Sequence, residues 1–210
     1  MPKKNKVIGT KQLKLWASEP GKFTYVLISG KAGVGKSTVA KYMSEYLGRY
    51  DYHVFITSFA KKLKDCARDY FGWDGKKDER GRRLLQRIGS EIGREYDLDN
   101  WVKLLLSDIG KHIIYPDFTI VDDWRFPNEA SFIESLEEFN VIKVRIDAPE
   151  REILQNTAEE QHPSENSLPT AEDGNGYYDF VIMNSKDTTL DNLRGLAEKI
   201  VDILLERSKK

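Results

Sequence analysis

The chain has 210 residues, with 33 Lys and Arg against 34 Asp and Glu, 32% charged and 40% hydrophobic residues. That balance excludes a disordered chain and suits one folded domain in water. The net charge of −1 gives no global basic field for nucleic acid, and one cysteine, Cys66, excludes an intrachain disulfide.

No apolar run is long enough to span a membrane and no signal-peptide pattern is read, so the expected compartment is the cytoplasm. Cys66 falls in a helix-like segment and reads as a small buried hydrophobe. Residues 1–22 are Lys-rich and read as a solvated basic extension rather than a polyanion-binding arm. The rest, 23–210, reads as one domain.

Tyr25-Val26-Leu27-Ile28-Ser29 has the apolar, β-branched character of a buried strand. Gly30-Lys31-Ala32-Gly33-Val34-Gly35-Lys36-Ser37 follows, and then Thr38 to Leu47 with helical spacing of apolar residues. Glycine, four residues and Gly-Lys-Ser between a strand and a helix is a P-loop. Its glycines let the backbone curl so that N–H groups point at phosphate oxygens, and the helix N-terminus adds its positive dipole end. Lys36 is expected to reach the β- and γ-phosphates, and the Ser37 hydroxyl to ligate magnesium. Gly30, Ala32, Gly33, Val34, Gly35 and Thr38 complete the expected ATP-binding set.

His53 to Ser58 reads as a second strand, and Phe59 to Phe71 as a helix with Phe59, Leu63, Ala67 and Tyr70 inward. A charged segment leads into a helical pattern through Leu84, Leu85, Ile88 and Ile92. Asp99 is the expected N-cap of a helix whose inner side carries Trp101, Val102, Leu104, Leu105 and Ile109. Phe118 to Val121 is a third strand that runs into Asp122-Asp123, the strand-end acid of P-loop chemistry. Neighbouring side chains on a strand point to opposite faces, so one acid of the pair serves the metal, and Asp122 comes first after the apolar run.

Pro127 sits where a helix begins. Val141 to Ile146 is a fourth strand, and Pro149 opens a further helix. A polar stretch with Pro163 and Pro169 reads as a lid, and Phe180 to Met183 as a fifth strand closed by Asn184. The last helix runs through Leu190, Leu193, Leu196, Ile200, Ile203 and Leu204. Strands alternating with helices imply a parallel sheet covered on both faces, with ligands beyond the carboxyl ends of its strands. Arg82, Arg83, Arg87, Arg94, Arg125, Arg145 and Arg151 are the candidate cations for a transferring phosphoryl group and a phosphorylated acceptor.

Asp123-Trp124-Arg125-Phe126-Pro127-Asn128-Glu129 resembles the Asp-x-Arg-Phe-x-Asn-Glu signature of phage-type deoxynucleoside monophosphate kinases. Ser58-Phe59-Ala60 with Leu63-Lys64, then Arg82, Leu85-Gln86, Gly89-Ser90-Glu91, Gly93-Arg94 and Trp101-Val102, are similar to further motifs of that family. His162-Pro163-Ser164-Glu165 looks like its lid segment, and Asp179 to Asn184 like its last strand. The matches run in order from Gly30 to Asn184; Ser90 stands where Thr is usual, and the Pro-rich loop after Glu165 is longer than typical.

The resemblance implies a three-layer α/β/α fold of nucleoside monophosphate kinase type, with a five-stranded parallel sheet in order 2-3-1-4-5. It implies a helical acceptor-binding insertion at about 59–112 and a lid at about 149–177. It implies γ-phosphoryl transfer from ATP, with Mg2+, to a deoxynucleoside monophosphate. In that register Asp123 is the metal acid, and Asn184 joins the ATP site. Arg82, Arg94 and Arg125 grip the acceptor phosphate, and Arg145 or Arg151 neutralises the transferring group. Lys64, Gln86, Glu91, Trp101 and Glu165 contact the acceptor, and for His162 a lid hydrogen bond or an exposed side chain stands at least level with a catalytic role. No stable nucleic-acid or membrane partner is expected, and homodimerisation stays open. The competing readings are another P-loop kinase with a phosphorylated small-molecule acceptor, and a module that uses ATP as a switch.

Overall fold

Five runs of β-branched and aromatic residues form one parallel sheet, in the order β2-β3-β1-β4-β5. The computed structural model describes residues 23–76, 78–112, 115–148, 166–174 and 176–207. The N-terminal extension, the helix expected at Pro149, Arg151, His162 and Glu165 lie outside the described residues.

The strands are β1 (Phe23–Ser29), β2 (Val54–Thr57), β3 (Phe118–Val121), β4 (Phe139–Asp147) and β5 (Phe180–Met183). Central β1 is apolar on both faces, as a strand covered on both sides must be. Tyr25 and Leu27 point into one core, with Phe59, Leu63, Trp101, Leu105 and Ile133. Val26 and Ile28 point into the other, with Val39, Met43, Leu47, Ala197 and Val201. The edge strands are less covered: Ile56, Val181 and Met183 are exposed.

Helices α1 (Lys36–Gly48) and α6 (Leu190–Arg207) cover the second face. The first face is covered by α2 (Ala60–Phe71), α3 (Glu79–Gln86), a π-helical segment (Arg87–Arg94), α4 (Asn100–Ile109) and α5 (Pro127–Glu134). This is the expected three-layer α/β/α arrangement with the expected sheet order. Among the described residues, no helix is long and apolar enough to cross a membrane.

Several local expectations change. Tyr70 is 81% exposed rather than inward, because α2 buries only the Leu63 and Ala67 stripe. Ile92 is exposed because the π-helical segment closes i to i+5 bonds and rotates its side chains off the α-helical stripe. Leu104, Leu190 and Ile203 are exposed too; α6 packs instead through Leu193, Ala197, Ile200, Val201, Leu204 and Leu205. Asp99 precedes α4 but makes no side-chain cap; its carboxylate accepts from Asn128 Nδ2 at 3.0 Å.

Candidate active site

The P-loop leaves β1 through three glycines with positive φ: Gly30 at 141°, Gly33 at 76° and Gly35 at 100°. Gly35 precedes α1, so the helix N-terminus opens onto the loop. Lys36 folds its ammonium back over the loop and donates to the carbonyls of Gly30 and Lys31, each at 2.7 Å. Val34 is buried, and its carbonyl accepts from Asn184 Nδ2 at 3.0 Å. Asn184 is itself buried, so it braces the loop from behind.

The two strand-end acids diverge. Ser37 Oγ donates to Asp122 Oδ2 at 2.5 Å. Asp123 turns the other way and accepts from the backbone N–H groups of Phe59 at 2.7 Å and Ala60 at 3.0 Å. The reason lies in α2. Its N-cap residue is Phe59, which has no side-chain acceptor, so the first N–H groups take a carboxylate from another element. The expectation that Asp123 would stand beside Ser37 is therefore corrected: Asp122 does. Burial pushes the Asp123 carboxyl up, and the two backbone N–H groups pull it back down.

A cleft of about 450 Å³ runs from Ala32, Gly33, Lys36 and Ser37 across Asp122 and Asp123 to the helices of the first face. The structure brings Lys64, Arg82, Gln86, Arg94, Trp101 and Arg125 to its wall, all of them expected there. Among the described residues the wall thus carries five basic side chains and three acidic ones, Asp122, Asp123 and Glu129. Leu63 and Leu85 supply an apolar wall that sequence reasoning did not assign.

Trp101 lines the cleft but is 6% exposed, its Nε1 donating to the Gly89 carbonyl at 2.9 Å and its ring filling the space left by Gly93. Its ring is part of the cleft wall. Arg94 donates from Nη1 to the same Gly89 carbonyl at 3.1 Å and from Nη2 to Glu129 Oε1 at 2.8 Å. Its guanidinium lies 3.8 Å from the Phe126 ring centroid, a stacked cation–π contact.

Two expected residues are elsewhere. Glu91 is exposed, absent from the cleft wall, and paired with Arg87 at 3.1 Å, because the π-helical turn carries it to the outer side. Arg145 is buried on β4 in register with Ser29, and its Nε donates to Asp147 Oδ1 at 2.6 Å. Asp147 Oδ2 accepts from Ala171 N at 2.9 Å. A buried arginine needs a counter-charge, and Asp147 supplies it within the strand. Arg145 does not line the cleft.

Glu129 was read only as a letter of the signature, yet it is buried, with 3% of its side chain exposed. Burial pushes its carboxyl up to about 7, against the pull of the Arg94 guanidinium and two backbone N–H groups, with Asp123 adding to the rise. Between the usual 4.5 and about 7, the folded protein holds a proton that the unfolded chain has lost. Stability therefore falls as pH rises through that window, by about 3 kcal/mol at most. The expected result is a melting temperature that drops from about pH 5 to about pH 7.5, with a shallower drop in Glu129→Gln. Equal slopes would assign the pH dependence to other groups.

Among the described residues, no cluster of three or more His, Cys, Asp or Glu side chains could hold a metal by itself. Ser37 and Asp122 instead pair two hard oxygens at the phosphate end of the cleft, a set that suits Mg2+ completed by phosphate and water.

No family model matches the chain, and no curated protein matches it. Among solved structures it is similar to that of APE1195, with 15% identity over 87% of this chain and 96% of that one, at a TM-score of 0.44. It is also similar to the Mycobacterium tuberculosis APS kinase CysC in complex with AMPPNP and APS, with 16% identity over 88% and 99% of the two chains and a TM-score of 0.40. Likenesses this distant assign no activity to this chain. Its own residues define an α/β protein with a P-loop and a cation-lined cleft beside it.

Proposed function

We propose that this protein is an ATP-dependent kinase that transfers the γ-phosphoryl group to a deoxynucleoside monophosphate, giving the diphosphate and ADP. One observation carries the reading: the P-loop and Arg82, Arg94 and Arg125 open into a single cleft. A donor phosphate held by the loop and an acceptor phosphate held by the arginines would then meet in that cleft. The ordered motif matches from Gly30 to Asn184 supply the acceptor class.

In the transfer an oxygen of the acceptor phosphate bonds to the γ-phosphorus as the bond to the β–γ bridging oxygen breaks, leaving ADP. The acceptor is already an anion at neutral pH, so positioning and charge carry the catalysis without a general base. The loop amides and Lys36 bind the donor phosphates. Ser37 and Asp122 would hold magnesium, which when bound neutralises charge on the β- and γ-phosphates. Gln86 and Lys64, both on the cleft wall, would face the acceptor. Arg151 and Glu165 keep the lid roles that the resemblance implies. With Arg145 tied to Asp147, Arg151 is the stronger candidate for the transferring group.

The acids can be separated by substitution. Asp122→Asn is expected to raise the Mg2+ concentration needed for half-maximal turnover and to lower kcat about 10–100-fold. Asp123→Asn is expected to cost about 1 kcal/mol of stability, because a carboxamide can accept only one of the two N–H bonds at the start of α2, with the Mg2+ requirement unchanged. A magnesium titration of both variants with a melting curve for each decides; the reverse pattern would return the metal to Asp123.

The kinase reading is tested by coupled ADP release with Mg2+ and ATP against each deoxy- and ribonucleoside monophosphate in turn. Stimulation by one or more deoxy forms is the expected result. ADP release that ignores every monophosphate would discard the acceptor and favour the switch. Stimulation only by another phosphorylated small molecule would keep the kinase and change its substrate.

A further inference from the structure

We propose that Glu129 is a positioning residue for the acceptor phosphate, holding Arg94 and the backbone of Arg125 with its two carboxylate oxygens. This inference rests on the kinase reading above. Glu129 stands in the first turn of α5, just past the third strand, and is almost wholly buried. Its Oε1 accepts from Arg94 Nη2 at 2.8 Å. Its Oε2 accepts from the backbone N–H groups of Arg125 at 3.0 Å and Phe126 at 3.1 Å. One side chain therefore ties an arginine of the π-helical segment to the turn that presents an arginine of the β3 exit.

The arrangement restricts Arg94 on three sides. Glu129 holds one terminal nitrogen, the Gly89 carbonyl holds the other, and the Phe126 ring lies under the guanidinium plane. Phe126 is itself set by Glu129, because the same Oε2 binds its backbone N–H. A guanidinium has five N–H donors; these two contacts use one on each terminal nitrogen and leave a second on each, while the Nε–H is buried with no partner among the described residues. A long arginine side chain loses much rotamer freedom when it grips a ligand. Fixing it beforehand removes that cost from acceptor binding. Arg125 gains in the same way, since the turn carrying it is hydrogen-bonded to Glu129 rather than to solvent.

Above about pH 7, where Glu129 is ionised, the chemistry calls for a carboxylate. All three bonds to Glu129 come from donors, so both oxygens must accept. A carboxamide has one accepting oxygen and an NH2 group. In Glu129→Gln that NH2 would face either Arg94 or the two backbone N–H groups, and one set of bonds would be lost. Glu129→Asp keeps both acceptors at shorter reach. The charged groups that face Glu129 are Arg94 from the π-helical segment and Asp123 from the β3 exit.

The test is steady-state ADP release by the full chain, with the deoxynucleoside monophosphate that gives the highest wild-type rate. The expected result for Glu129→Gln is a rise in acceptor KM of about tenfold, with ATP KM within about twofold of wild type. Glu129→Asp should recover part of the loss. In an Arg94→Ala background the Glu129→Gln effect should shrink, because the two residues act as one unit. A merely structural role would lower kcat or stability without this split between the two KM values.

An acceptor KM unchanged in an active Glu129→Gln enzyme would overturn the inference and leave the kinase reading intact. So would acceptor and ATP KM values that rise together. Should Glu129→Gln fail to fold, the Asp variant is read the same way: an acceptor-only rise supports the inference, and no rise overturns it. Wild-type protein that ignores every monophosphate would remove the kinase reading and this inference with it.

Discussion

Lys36→Ala is expected to lower ATP-dependent turnover about 10²–10³-fold, the usual loss when one preorganised charge at a transferring group is removed. The protein should stay folded. Lys36 is the first residue of α1, where alanine is well tolerated, and its ammonium donates to the loop carbonyls of Gly30 and Lys31, each at 2.7 Å. Those bonds hold the ammonium on the loop, where a donor phosphate would meet it. Coupled ADP release together with a melting curve checks both halves. Turnover equal to wild type would remove the P-loop from the reaction, and with it the proposed donor site.

Gly30→Ala is expected to destabilise the protein by about 3 kcal/mol or more and to abolish ATP binding. Gly30 has φ of 141°, a region that side chains rarely adopt. A Cβ there would run into the carbonyl oxygen of Ile146 and lie 2.8 Å from Val34 Cγ2. Neither neighbour can yield. The Ile146 carbonyl is backbone of β4, where Ile146 pairs with Ile182 of β5, and Val34 is a buried anchor of the loop. The chain would have to shift at the point where β1 becomes the phosphate cradle. Gly48→Ala is the contrasting control: a Cβ there meets nothing within 4 Å, and the residue ends α1. That change should stabilise by about 0.5–1 kcal/mol. Denaturant midpoints and calorimetric titration with Mg-ATP separate the two variants. A Gly30→Ala protein that binds ATP normally would contradict the loop geometry.

Much of the fold was legible because strands and helices leave local periodicities. The continuous apolar run before Gly30 read as a buried strand, and it is β1, extended to Phe23. The run before Asp122 read as a strand and is β3. Sheet order came from the family resemblance rather than from any residue pattern. The π-helical segment was not legible. Its sequence has ordinary helical spacing, and the wider turn that exposes Ile92 and turns Glu91 outward follows from packing of Gly89 and Gly93 against Leu63 and Trp101.

The sequence by itself determined the local chemistry: a phosphate-binding loop between a strand and a helix, an acid pair at the next strand's end, and arginines in the segments between. Each depends on neighbours along the chain, so residue order suffices. Tertiary structure alone decided how those side chains are spent. Asp122 rather than Asp123 meets Ser37, because the start of α2, 64 residues from Asp123, has N–H groups without a cap. Arg145 is neutralised by Asp147, because β4 is buried in the sheet. Glu129 joins Arg94 to the turn at Arg125, because two elements 35 residues apart converge on one buried carboxylate. A buried polar group must find its partners wherever the fold puts them, and sequence spacing does not record that convergence.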